Sequence, residues 1–121
     1  MADKRLLIAD DEPDICDFVR RVAEGLGYEV RFVTRPTEFQ KAYLEFKPTK
    51  IVLDIIMPEI DGIELLQWLA TQSCTAAIII ITGYSPEFAA MAQSLGRAKG
   101  LLTMKTIGKP VRVASLREVL A

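Results

Sequence analysis

Residues 76–82 read AAIIIIT, and the run of four isoleucines in this stretch, Ile78–Ile81, decides the fold class. A strand that is apolar on both faces is covered on both faces, as in a parallel sheet with helices on either side. Other stretches rich in Val, Ile and Leu recur at intervals of about 20 to 25 residues, which leaves room for one helix between successive strands. We predict five strands, at Arg5–Ala9, Glu29–Val33, Ile51–Leu53, Ala77–Ile81 and Leu101–Ile107.

Segments in which apolar residues repeat every three or four positions lie between these strands. Helix-starting and helix-ending residues flank them, such as Pro13 in a first turn, Gly27 past an end, and Asp61 with Glu64 as a capping box. We predict five helices, which begin near Pro13, Pro36, Asp61, Ser85 and Pro110. Alternating strands and helices with right-handed crossovers predict one α/β domain over residues 1–121, since this length leaves no room for a second.

The composition excludes several classes of function. The longest apolar run, residues 76–81, is about a third of a bilayer span, so we expect no contact with a membrane. Cys16 and Cys74 lack the spacing of metal ligands. Two such isolated cysteines are expected to serve as small apolar residues of a protein in a reducing cytoplasm. The chain has no histidine, so it contains neither a Ser-His nor a Cys-His pair and cannot phosphorylate itself on histidine. Any phosphoryl group must come from another molecule.

Basic residues are concentrated near the C-terminus. The whole chain has 15 basic and 16 acidic residues, which argues neither for nor against nucleic acid, and we expect no direct nucleic-acid binding. Between Glu87 and Glu118 there is no acidic residue, while six Lys and Arg residues occur there. Two interpretations stay open, a solvated basic face and a docking surface for an acidic partner.

Polar side chains follow the predicted strands where each one ends. Asp10 and Asp11 follow the first strand and Asp54 the third, while Thr82 follows the fourth and Lys109 the fifth. Taken singly, each could be a helix cap, a turn residue or a solvated loop residue. The carboxyl ends of parallel strands form the ligand-binding edge of such a sheet, so the five residues should meet there. Three carboxylates brought together repel one another, and a divalent cation that prefers oxygen ligands, best Mg2+, would relieve that repulsion.

Phosphoryl transfer explains why these groups should meet. Asp54 would attack phosphorus in line, as carboxylates do in aspartyl-phosphate chemistry. The transition state spreads negative charge over three oxygens, which need positioned cations and donors. The metal would bind one oxygen, the Lys109 ammonium a second, and the Thr82 hydroxyl or a backbone N–H the third.

Four segments in this order resemble the receiver domain of two-component response regulators across the whole chain: LLIADDEPD (6–14), IVLDIIMPEIDGIEL (51–65), IIIITGYS (78–85) and GKPV (108–111). The resemblance implies a flavodoxin-like, doubly wound five-stranded parallel sheet of order 2-1-3-4-5 with five helices. It also implies that Asp54 accepts a phosphoryl group from a phosphohistidine on a sensor histidine kinase or a histidine phosphotransfer protein. The implied Mg2+ ligands are Asp11 directly, Asp10 mainly through water, Asp54, and the backbone carbonyl of Ile56.

Further implications concern the end of the chain. Thr82 and Lys109 would hold the phosphoryl group, and the Lys109–Pro110 bond is a candidate cis peptide bond. Receivers commonly have Tyr or Phe three residues before the Lys, and this chain has Thr106 there. Whether this departure alters switching stays open, since Thr82 can still move toward a phosphoryl group. The output would use the face formed by the predicted fourth helix, fifth strand and fifth helix. An effector domain or a second copy of the chain would then dock on residues 87–117.

Two alternatives remain at this stage. A Mg2+-dependent phosphatase would use Asp54 as nucleophile, but it needs a general acid and a substrate pocket, for which the chain has neither histidine nor a cap domain. A degenerate receiver that serves only as an interaction module would have lost the acceptor or the acidic pair, and both are present. The sequence therefore favours a phosphoacceptor switch over a classical enzyme.

Overall fold

A computed structural model gives the fold and describes residues 4–54, 62–72, 74–83, 90, 94 and 104–121. The elements in chain order are β1 Arg5–Ala9, α1 Pro13–Gly25, β2 Glu29–Val33, a 3-10 turn Pro36–Glu38, α2 Phe39–Phe46, β3 Lys50–Asp54, α3 Gly62–Thr71, β4 Ala77–Thr82, β5 Met104–Gly108 and α4 Val113–Leu120.

The five strands form one parallel sheet in the order β2-β1-β3-β4-β5, which confirms the predicted topology. Strands β1 and β2 have the predicted bounds. Strands β3 and β4 each continue one residue further, to Asp54 and Thr82, and β3 also begins one residue earlier, at Lys50. Strand β5 begins at Met104 and ends at Gly108, and residues 101–103 of its predicted start lie outside the described residues. In the register, Asp54 pairs with Ile81, and Thr82 pairs with Gly108.

The helix ends follow the predicted signals. Helix α1 starts at Pro13, and Gly27, with φ of 92°, donates its N–H to the carbonyl of Glu24. A positive φ is easy for glycine, which explains the chain reversal there. Helix α2 ends at Phe46, and its C-cap residue Lys47 is also in the left-handed region, just before Pro48.

The described residues contain four helices where five were predicted. The predicted fifth helix is observed as α4. Most of the predicted fourth helix lies outside the described part of the chain. Within that segment the structure describes only Ala90 and Ser94, and both are helical. The Asp61 cap is likewise outside it. None of the helices in the described ranges has the length and apolar composition that a bilayer span requires.

Two apolar cores flank the sheet, and the isoleucine run of β4 contributes to both. Ile78 and Ile80 lie in the core beneath α2 and α3, while Ile79 and Ile81 lie in the core beneath α1 and α4. All four are at most 2% exposed, because successive side chains of a strand point to opposite faces. This division confirms that β4 is covered by helices on both sides.

Helix α4 is attached to the amino-terminal edge of the sheet by two hydrogen bonds to its last carbonyls. The Tyr28 hydroxyl donates to the carbonyl of Leu120 at 2.7 Å, and the Lys50 ammonium donates to the carbonyl of Val119 at 3.1 Å. A cation at the end of a helix also interacts favourably with the helix dipole. These contacts fix the C-terminal end of α4 to the amino-terminal edge of the sheet.

Candidate functional site

Three carboxylates meet at the carboxyl edge of the sheet. Asp10 follows β1 directly, Asp11 comes next, and Asp54 is the last residue of β3, a neighbour of β1. One carboxylate oxygen from each lies within 4.8 Å of the other two. Asp10 is fully buried and Asp54 is 3% exposed. Among the described residues, these two are the polar or charged residues that are buried. The predicted convergence of these three residues is confirmed.

Asp10 is positioned by two hydrogen bonds to the backbone. Its backbone N–H donates to the carbonyl of Val33, and its Oδ1 accepts the Glu12 N–H at 2.9 Å. Its Oδ2 is buried and has no hydrogen bond within the described structure. The pKa of Asp10 is raised from 3.8 to about 6, chiefly by burial and also by the Asp54 charge, while the Glu12 N–H and Lys109 oppose the rise. The repulsion predicted from the sequence is therefore present at this site.

Lys109 supplies positive charge. Its Nζ donates a hydrogen bond to Asp54 Oδ2 at 3.1 Å and lies 3.6 Å from Asp10 Oδ2. Burial lowers the pKa of this ammonium, but Asp10 and Asp54 raise it by more, so the net effect is upward. The Lys109–Pro110 peptide bond is cis, as predicted. Lys109 therefore meets Asp54 at the carboxyl edge of the sheet, as expected from the sequence.

The other predicted site residues are described less fully. The backbone of Thr82 ends β4, one residue past the partner of Asp54, so it lies at the same edge as the carboxylates. Its side chain is outside what the structure describes, as is the whole of Ile56. The phosphoryl contact of Thr82 and the carbonyl ligand of Ile56 therefore stay predictions.

The carboxylates fit a hard divalent cation. They offer three closely spaced oxygen ligands and one buried carboxylate oxygen that lacks a hydrogen bond in the described structure. Mg2+ accepts a few carboxylates and keeps waters that phosphate oxygens can replace. Asp10, Asp11 and Asp54 would hold it, and the metal site would satisfy the Asp10 Oδ2 atom, which among the described residues has only the 3.6 Å ion pair with Lys109.

Two neighbours of the site were not predicted. Glu12 Oε1 lies 3.8 Å from Lys109 Nζ. A Cβ placed on Gly83 would lie 3.4 Å from both Cβ and Cδ of Lys109, so the lysine stem packs directly on this glycine. In the sequence, Glu12 directly follows the acidic pair and Gly83 directly follows Thr82, and this adjacency was the only hint that they lie near the site. Sequence spacing alone does not predict either contact with Lys109.

A basic groove of about 750 Å³ is lined by residues of β5, of α4 and of the segment between them, including Lys109. Lys105 and Arg112 line it together with hydroxyl groups of Thr106 and Ser115, and one carboxylate, Glu118, is among the residues that line it. Thr106 is exposed, so the position where receivers commonly have an aromatic ring is a small polar side chain at the surface.

The sequence model of the response regulator receiver domain matches residues 6–121. The chain belongs to the response regulator receiver family. This receiver domain is 34% identical over 85 residues to the alkaline phosphatase synthesis transcriptional regulatory protein PhoP of Bacillus subtilis, a match covering 70% of the chain and 35% of PhoP. It is also 34% identical over 84 residues to the response regulator receiver protein CpdR of Brucella abortus, covering 68% of each.

The fold comparison agrees. The CheY-like response regulator receiver domain protein of Methanospirillum hungatei superposes with a TM-score of 0.82 at 26% identity, over 98% of this chain and 91% of that one. Receiver domains of response regulators accept phosphoryl groups from histidine kinases, bind Mg2+ at an acidic pocket, and are generally phosphoacceptor switches rather than classical enzymes. The present receiver domain spans about a third of PhoP, since the match covers 35% of that protein.

Proposed function

We propose that residues 1–121 form a phosphoacceptor domain in which Asp54 takes a phosphoryl group from a phosphohistidine of a sensor histidine kinase or a histidine phosphotransfer protein, in the presence of Mg2+. The hydrogen bond of 3.1 Å from Lys109 to Asp54, beside two further carboxylates, is the observation that supports this most directly. It combines a nucleophile, a cation and metal ligands at the edge where parallel sheets bind ligands.

In this reaction an Asp54 oxygen forms a bond to phosphorus while the bond from phosphorus to the donor nitrogen breaks. The electron pair of the broken bond stays on the imidazole nitrogen. Lys109 moves from the Asp54 carboxylate to a phosphoryl oxygen, and the Thr82 hydroxyl or a nearby N–H binds another. Mg2+, held by Asp10, Asp11, Asp54 and the Ile56 carbonyl, would neutralise charge on the transferring group.

The same residues would assist loss of the phosphoryl group to water, so the domain assists its own phosphorylation and dephosphorylation. A phosphatase acting on other substrates is disfavoured, because such an enzyme needs a general acid to protonate the leaving group and this chain has no histidine to serve as one. We expect a cytoplasmic location.

Phosphorylation would change the face formed by the predicted fourth helix, β5 and α4, and an effector domain or a second copy would dock on residues 87–117. The basic groove supports this, because Lys109, the residue that must move when Asp54 is modified, is among the residues that line it. Lys105 and Arg112 along it favour an acidic partner.

The test compares intact masses of wild type, Asp54→Asn and Asp14→Asn after incubation with Mg2+ and acetyl phosphate. Asp14 is an exposed acid in the first turn of α1 and serves as the matched control. We expect one phosphoryl adduct per molecule in wild type and control, and none in Asp54→Asn. Turnover of acetyl phosphate without an adduct would indicate a phosphatase, and neither turnover nor adduct would indicate an interaction module.

A further inference from the structure

Glu12 occupies the N-cap position of α1 but does not cap the helix. Its backbone is extended, with φ of −96° and ψ of 106°, and its side chain makes no capping hydrogen bond. Short polar side chains such as Asp, Asn, Ser and Thr are the ones that cap well at this position. Capping therefore does not account for this carboxylate.

The Glu12 side chain instead lies beside Lys109. Its Oε1 is 3.8 Å from Lys109 Nζ, in an ammonium environment that already includes Asp54 Oδ2 at 3.1 Å and Asp10 Oδ2 at 3.6 Å. The burial of the three carboxylates differs. The side chains of Asp10 and Asp54 are 1% and 4% exposed, whereas that of Glu12 is 56% exposed. Glu12 thus forms the outer, solvent-facing side of the Lys109 environment.

This position affects both ligands of the proposed function in opposite ways. A phosphoryl group that reaches Asp54 must draw Lys109 away from its carboxylates and must pass an extra negative charge at the opening. A divalent cation experiences the reverse, because Glu12 adds negative potential and attracts the ammonium away from Asp10 and Asp54. One contact therefore disfavours the anion and favours the cation.

We propose that Glu12 is a positioning residue that competes with the phosphoryl group for the Lys109 ammonium, so that it slows phosphoryl acceptance by Asp54 while strengthening Mg2+ binding. This inference rests on the proposed function of Asp54. The contact is partly exposed, so its effect should be of the size found for exposed ion pairs, a factor of about two to five.

The experiment compares Glu12→Gln with Asp14→Asn, which removes the same charge from the same end of α1. Asp14 is exposed and shows no ion pair with Lys109 in the described contacts. Mg2+ dissociation constants are measured by calorimetry, and phosphorylation by acetyl phosphate is then followed at Mg2+ concentrations that saturate each variant. We expect Glu12→Gln to weaken Mg2+ binding about two- to fivefold and to accelerate phosphorylation about two- to fivefold, with smaller changes in Asp14→Asn.

The opposite signs separate positioning from damage to the fold, because a distorted site would lose both Mg2+ affinity and rate. Repeating both assays near 1 M salt, where the Debye length is about 3 Å, should bring both ratios close to one. Changes of the same sign, changes equal to those of Asp14→Asn, or ratios that persist at high salt would overturn the inference. A wild type that forms no Asp54 adduct would instead refute the proposed function.

Discussion

Replacing Asp10 with asparagine should stabilise the metal-free protein. Asp10 is fully buried, and its Oδ1 accepts the Glu12 N–H, an interaction that an asparagine carbonyl can keep. Its Oδ2 has no hydrogen bond in the described structure, and an amide group there would remove a buried negative charge facing Asp54. Because the charge is costly to bury, the substitution should favour the folded state.

The pKa of Asp10 sets the magnitude. Its rise from 3.8 to about 6 corresponds to about 3 kcal/mol at about 1.4 kcal/mol for each pKa unit. The folded state binds this proton more tightly than the unfolded state, so stability is lost as pH rises from about 4 to about 6 and stays lower above that range. Asp10→Asn lacks this loss, and we expect a gain of about 1–3 kcal/mol at pH 7.5, or about 5 to 15 °C in Tm.

The assay is urea unfolding and thermal melting of wild type, Asp10→Asn and Asp14→Asn in EDTA, at several pH values between 4 and 8. The gap between wild type and Asp10→Asn should be small at pH 4 and largest above pH 6, and Asp14→Asn should follow wild type. Saturating Mg2+ should stabilise wild type, by about 2.7 kcal/mol at one hundred times the dissociation constant, and the variant much less. A variant that is equally or less stable than wild type at pH 7.5, or a gap that does not depend on pH, would refute the reasoning.

Two further predictions concern the surroundings of the site and the far edge of the sheet. Gly83→Ala should be tolerated, because the added Cβ would lie 3.4 Å from the Lys109 stem. Gly83→Val should displace Lys109 and slow phosphorylation by acetyl phosphate by about tenfold or more. Equal rates for the two variants would contradict this packing. Tyr28→Phe removes the 2.7 Å hydrogen bond to the carbonyl of Leu120. It should lower the free energy of unfolding measured in urea by about 1 kcal/mol and leave phosphorylation unchanged. An unchanged urea midpoint would show that this hydrogen bond does not help to hold α4.

Local patterns predicted much of the fold. The four isoleucines of β4 indicated a strand buried on both faces, and Ile78–Ile81 divide between two cores. Pro13 and Gly27 marked the ends of α1 because restricted φ and positive φ are properties of single residues. Strand β3 is one residue longer than predicted at each end, and β4 is one residue longer at its end. The added residues Lys50, Asp54 and Thr82 are polar and join the sheet only through pairing with neighbouring strands.

By itself the sequence determined the alternation of strands and helices, the two covered faces of β4 and the set of polar residues that end the strands, because each depends on the periodicity of neighbouring residues. Only the tertiary structure decided that Asp10 is the fully buried carboxylate, that Lys109 bonds Asp54 across 55 positions of sequence, and that Glu12 turns toward Lys109 instead of capping α1. These contacts depend on the strand register and on how side chains from elements far apart in sequence pack together. Both are set only when the whole sheet assembles.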